Sequence, residues 1–270
     1  MRITRIILIL VFLAVAAVSA VQDAAGRLST ADVPPVLTCE SETLDVSVKD
    51  PKSVLLAGIT ATDAQDGDIS HRVLVTGVSR LFGDNTARVS YAVFDSDHNM
   101  ATLTRNIHYT DYQLPRFSLE EPLIYREDED ITLLDRLHAR DVIDGDITGS
   151  IRVSPANRSS YSQDLFITTV QVTNSMGDTA WQTLPVIQCN DPENAVQVEL
   201  DTYLIYLKQG ADFQARRYLD GASFGGDPVS LDNVTITGEV DTATPGTYMV
   251  VYDCVYGSHS GKSVLTVVIE

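Results

Sequence analysis

The chain has 270 residues, 44% of them hydrophobic, which is long enough for two or three ordinary domains and apolar enough to give each a core. Lys and Arg number 19 against 37 Asp and Glu, a formal net charge of −18 that repels phosphate backbones and excludes nucleic acid as an expected partner. Three cysteines, Cys39, Cys189 and Cys254, are too few and too scattered for a disulfide framework, and their odd number leaves at least one unpaired within the chain.

At the amino terminus Arg2 and Arg5 precede an apolar run from Ile6 to Val18, followed by small residues at Val18-Ser19-Ala20. This is the pattern of an export signal, and the run is shorter than the roughly 20 residues that span a bilayer comfortably. Residues 1–20 are therefore expected to be a signal peptide or an amino-terminal membrane anchor. In either case the two arginines keep that end cytoplasmic and place the rest of the chain outside the membrane. Residues 21–35, ending in Pro34-Pro35, are expected to form a tether.

A repeat organises the remainder of the chain. Ala61-Thr62-Asp63-Ala64-Gln65-Asp66-Gly67-Asp68-Ile69 returns 78 residues later as Ala139-Arg140-Asp141-Val142-Ile143-Asp144-Gly145-Asp146-Ile147. Around each copy, short segments rich in β-branched residues alternate with turn formers. In the first unit these are Val36 to Val48, Leu55 to Thr62, Val73 to Val78, Ala87 to Phe94 and Ala101 to Tyr109. The second unit repeats the order through Phe117 to Tyr125, Phe166 to Thr173 and Thr179 to Ile187. Its hairpin loop Asn174-Ser175-Met176-Gly177-Asp178 parallels Asp95-Ser96-Asp97-His98-Asn99, with Val172 opposite Val93. A third unit opens at Val196 to Leu207. Its acidic turn has become Phe224-Gly225-Gly226-Asp227-Pro228, and Asp241 to Tyr248 leads into Met249 to Val255 before a last strand at Ser263 to Ile269.

These spacings predict an all-β chain of three tandem immunoglobulin-like sandwiches, over residues 36–110, 116–188 and 196–270. The order A-T-D-x-x-D-G-D-I, apolar strand, D-T-x-x-P-G-T-Y-x-V-x-Y, hairpin and final strand resembles the bacterial Ig-like repeats, related to hyalin repeats, of Gram-positive cell-surface proteins. The first two units carry the D-G-D-I element and the third carries the P-G-T-Y turn. The resemblance implies an exported, non-catalytic chain at the cell surface.

Asp63, Asp66 and Asp68, and their counterparts Asp141, Asp144 and Asp146, place carboxylates across a tight turn. Two readings stand for them. Hard cations favour such oxygen clusters, so a weak extracellular Ca²⁺ site is one; turn-capping by Asp beside Gly is the other. No other cofactor is expected. The five histidines lack the spacing of zinc ligands, and Gly257-Ser258-His259-Ser260-Gly261 carries His where a nucleophile elbow has Ser. Trp181 is the single tryptophan. If it and Tyr256 are exposed, they offer rings for stacking on sugars or proteins.

The expected function is an adhesion or envelope-assembly module whose partner is a protein or glycan at the cell surface, touching membrane only through its amino-terminal segment. A mechanical spacer and a polysaccharide-binding accessory protein are the alternatives.

Overall fold

The computed structural model describes residues 13–22, 33–158 and 164–270. The expected leader and tether fall largely outside these residues. Residues 13–22 are helical, and no helix among the described residues is long and apolar enough to cross a membrane. The chain divides into two compact units, Met1–Tyr112 and Gln113–Glu270.

The first unit holds β1 (Val36–Cys39), β2 (Thr43–Val46), β3 (Ile59–Asp63), β4 (Gly67–Asp68), β5 (Leu74–Val78), β6 (Thr86–Phe94) and β7 (Met100–Tyr109). Its two sheets run β1-β3-β4 and β2-β7-β6-β5, with β2 parallel to β7 and the other pairs antiparallel. The apolar stretch expected as one opening strand is thus split. Around Glu40 the backbone turns, with Glu40 N–H donating to Gly58 O, and β2 joins the other sheet. The strand expected over Leu55 to Thr62 begins at Ile59, because Lys52–Leu56 forms a 3₁₀ turn after Pro51. Alternate residues of β6, namely Ala87, Val89, Tyr91 and Val93, are buried and fill the space between the sheets.

The second unit builds the same topology twice. Its first set is β8 (Arg116–Leu119), β9 (Ile124–Arg126), β10 (Leu137–Asp141), β11 (Gly145–Asp146), β12 (Arg152–Val153), β13 (Asn157–Arg158), β14 (Leu165–Thr173) and β15 (Thr179–Cys189). The second set is β16 (Gln197–Leu200), β17 (Leu204–Leu207), β18 (Leu219–Phe224), β19 (Asp227–Pro228), β20 (Val234–Thr237), β21 (Gly246–Tyr256) and β22 (His259–Ile269). The sheets are β8-β10-β11 with β9-β15-β14-β12, and β16-β18-β19 with β17-β22-β21-β20; β13 adds to β14. The larger sheet of each sandwich again contains one parallel pair, β9 with β15 and β17 with β22. The all-β tandem sandwich architecture expected from the repeats is the architecture found.

Within this second unit the two sandwiches share one continuous core. Part of the outward face of β21 and β22 is covered, while Thr247, Val255 and Ser260 on it are exposed. Val264 is buried with Leu165 and Ile187, and Met249, Val251 and Ile124 pack around them. Lys262 bridges to Asp164 at 3.0 Å, and Tyr203 N–H donates to Leu119 O at 3.0 Å. The residues between the sandwiches therefore lead into a packed contact. All three cysteines are free, and Cys254 is fully buried, as its alternation with Val250 and Tyr252 predicts.

A tyrosine hydroxyl fastens a 3₁₀ segment in each sandwich, and in the second it is Tyr125, which donates to Thr132 O at 3.1 Å just before Leu133–Asp135. Tyr91 donates its hydroxyl hydrogen to Leu55 O at 2.6 Å, and Tyr252 donates to Ala215 O at 2.7 Å. Burial pushes the Tyr252 phenol well above its ordinary range, so the neutral donor persists.

Candidate functional site

The six aspartates expected as candidate ligands sit in two equivalent hairpin turns. In the first, Asp63 pairs with Gly67 across a three-residue loop, and Gly67 takes φ 72°, a left-handed value that Gly adopts without steric cost. In the second, Asp141 pairs with Gly145, at φ 75°. The third sandwich closes the same position with a two-residue loop, Gly225-Gly226, both at positive φ as a type I′ turn requires.

Each carboxylate has a defined task. Asp63 Oδ1 accepts from Gln65 N–H and Asp66 N–H, both at 2.8 Å, and Asp141 Oδ1 accepts from Ile143 and Asp144 N–H at 2.8 and 2.9 Å. Asp68 Oδ1 accepts from the backbone and the hydroxyl of Ser70 at 2.9 and 2.6 Å, and Asp146 Oδ1 accepts from Thr148 N–H at 2.9 Å. These bonds close the turns and start the following 3₁₀ segments.

The middle aspartates reach farther. Asp66 accepts from Ser96 N–H and Oγ–H at 2.8 and 2.7 Å, and from Arg72 Nη1 at 2.7 Å. Asp144 grips Ser175 in the same way, through N–H and Oγ–H at 2.6 Å each. Each turn is thereby clamped to the long hairpin loop of the other sheet. The third sandwich carries an aromatic contact in this place, with Phe224 at 4.1 Å from the His259 ring and 6.2 Å from Tyr256. The structure thus brings each turn's aspartates together as a hydrogen-bonded cap. Among the described residues, no group of three or more His, Cys, Asp or Glu side chains could hold a metal ion.

Melting curves in excess Ca²⁺ and in EDTA are accordingly expected to coincide. A higher midpoint in Ca²⁺ would show that the carboxylates leave their amide partners for a cation.

The clamps also set an acid dependence. The Ser96 hydroxyl, followed by the Arg72 guanidinium, holds Asp66 below the ordinary carboxylate range; the Ser70 hydroxyl and amide do so for Asp68, and the Thr148 amide and hydroxyl for Asp146. A carboxyl whose pKa is lower folded than unfolded contributes fully above the unfolded value and loses that contribution as pH falls through the folded one. The thermal midpoint should therefore stay level from neutrality down to the usual carboxylate range and fall below it. Asp66→Asn with Asp146→Asn is expected to shrink that acid step, as measured by melting at stepped pH.

Sequence reasoning names the turns and Trp181 but misses Arg152 and Gln171, which share its outward sheet face. Register places Arg152, Gln171 and Trp181 side by side across β12, β14 and β15, and Trp181 is 61% exposed. The equivalent row of the first sandwich is Leu74, Ala92 and Thr102, and that of the third is Thr235, Asp253 and Lys262.

No family model matches the chain. A curated relative, the pesticidal crystal protein Cry22Aa of Bacillus thuringiensis, is 24% identical over 246 residues. The match covers 86% of this chain, which spans 33% of that protein's length. Among solved structures, the Drosophila N-cadherin EC1–3 fragment is 10% identical with a TM-score of 0.31, covering 88% of this chain and 89% of that one. The CBM51-2 and INT domains of Clostridium perfringens ZmpB, determined in complex with GlcNAc, are 19% identical with a TM-score of 0.24, covering 57% and 41%.

Proposed function

We propose that the chain is a non-catalytic, extracellular Ig-like repeat protein of the bacterial cell surface that acts as an adhesion or envelope-assembly module. The observation behind this reading is that one frame is built three times while its outward rows change chemistry. The rows are Leu-Ala-Thr, Arg-Gln-Trp and Thr-Asp-Lys at matching positions. The third of these rows has a partner within the chain, since Lys262 bridges to Asp164. The exposed members of these rows, Leu74 and Trp181 foremost, sit on rigid strands and can recognise partners by side-chain identity, and the strongly acidic balance sets which partners approach. The likeness to a Bacillus thuringiensis protein supports a bacterial origin.

A second reading, a polysaccharide-binding accessory protein, is favoured by Trp181 and Tyr256, which are 61% and 48% exposed. Both readings are tested by the retention of the purified chain on isolated cell envelopes. Saturable retention is expected, and retention no greater than that of an acidic control protein would contradict the proposal.

A further inference from the structure

The row Arg152–Gln171–Trp181 lies on the outward face of a sheet whose neighbouring cross-strand pairs on that face are threonines. Thr173 faces Thr179, their hydroxyl oxygens 2.7 Å apart, and Thr169 faces Thr183. A single exposed aromatic plane amid hydroxyls lacks the ring of apolar contacts that a protein hot spot uses to exclude water. It suits a ligand that offers one apolar face and a rim of hydroxyls.

Trp181 is not required by the fold. Thr102 occupies its position in the first sandwich and Lys262 in the third, on strands of the same topology. At the other end of the row Arg152 is exposed and makes no ion pair among the described residues, in a chain of net charge −18. Unpaired, forked and solvated, it is the group on this row that attracts an anion, and its planar guanidinium matches a carboxylate.

Beside the row opens a groove of about 590 Å³, lined by Gly149, Ser150, Arg152, Gln171 and Thr173. It lies where the segment before β12 parts from the end of β14. A Cβ added at Gly149 would meet nothing within 4 Å, which leaves its side open to the groove.

We infer that this face binds a carboxylate-bearing sugar residue of an acidic glycan, its ring stacked on Trp181, its carboxylate on Arg152 and its hydroxyls on Gln171 and the groove. The inference rests on the binding-module reading and names the ligand class for one of its faces.

Because Trp181 is the single tryptophan, its emission reports on this face directly. The intact chain would be titrated with tetragalacturonate and with sialyllactose, two sources of a sugar carboxylate, and with neutral cellotetraose at equal concentration. A saturable change in Trp181 emission is expected with at least one acidic sugar and not with cellotetraose. By calorimetry, Arg152→Gln should weaken that sugar about tenfold, the order of a lost charge-assisted bond. Trp181→Thr, which restores the residue used in the first sandwich, should abolish binding without moving the melting midpoint. Gly149→Gln should block the groove while leaving the fold intact.

No emission change with either acidic sugar, or Arg152→Gln binding like the parent, would overturn the inference. If the envelopes still retain the protein in that case, the binding-module reading survives and this ligand assignment alone falls. Loss of both results would remove both.

Discussion

Gly261→Ala is expected to lower the stability of the second unit by about 3 kcal/mol, at the upper end of what overpacking costs. A Cβ built at Gly261 would lie 1.7 Å from Val196 O and 2.7 Å from Val196 C. The obstacle is the Val196 backbone rather than a side chain, so no rotamer change relieves it. Val196 N–H donates to Ser260 O at 3.2 Å, and Val196 itself is buried in the core, so the crossing segment is held from two directions. Making room means pulling the start of the third sandwich off β22. Denaturant unfolding followed by Trp181 emission should show a lower midpoint with little change in slope. Gly77→Ala is the control, because a Cβ there meets nothing within 4 Å. Equal midpoints for the two variants would mean that the crossing segment moves freely and contributes nothing to the shared core.

Arg105→Ala should cost the first unit about 3 kcal/mol, from a cavity plus an orphaned carbonyl. Arg105 is 2% exposed. Its Nη1 donates to Ala57 O and its Nη2 to Leu55 O, each at 2.7 Å, while Nη2 also reaches the Tyr91 hydroxyl at 3.2 Å. The guanidinium thus fastens the end of the 3₁₀ turn to β7 and lies 5.7 Å from the centre of the Tyr91 ring. Leu55 O keeps its bond from Tyr91 when the arginine is removed, whereas Ala57 O loses its side-chain donor. Arg105→Met fills much of the volume and leaves only the carbonyl uncovered, so about 1–2 kcal/mol is expected. Hydrogen exchange of peptides from residues 36–110 should speed up in the order parent, Met, Ala. A Met variant more stable than the parent would show that burying the cation costs more than its bonds return.

Much of the frame is legible in the sequence because its signals are local. Asp-Gly-Asp after an alternating strand fixes a hairpin turn, and the return of that element in order predicts the shared topology. Gly225-Gly226 marks the same turn with different chemistry, as the positive φ of both residues explains. The five-residue loops at Asp95 and Asn174 are likewise readable, from turn formers between β-branched runs.

Non-local packing is less legible. Val264-Leu265-Thr266-Val267-Val268-Ile269 does not alternate, which signals a strand covered on both faces, but nothing in it names Leu165 and Ile187 as the cover. Arg105 looks like a solvent residue by type, and only the 3₁₀ turn folded over it shows that it is buried. The aspartates announce their charge in the sequence, while their amide and hydroxyl partners at Ser96 and Ser175 lie some thirty residues away. The Arg152–Gln171–Trp181 row emerges from the sequence only when the copies are aligned on Val93 and Val172 and their outward positions compared.

We propose that this chain binds a partner at the cell surface through exposed side chains, Trp181 foremost, on a repeated frame. Crosslinking on intact producing cells, with recovery of the chain from the envelope fraction, tests it most directly. The account predicts a reproducible, stoichiometric protein or glycan attached to the chain, and loss of that adduct when Trp181 and Arg152 are replaced together. Recovery of the bare chain, under conditions that capture a control complex, would contradict it and favour a spacer.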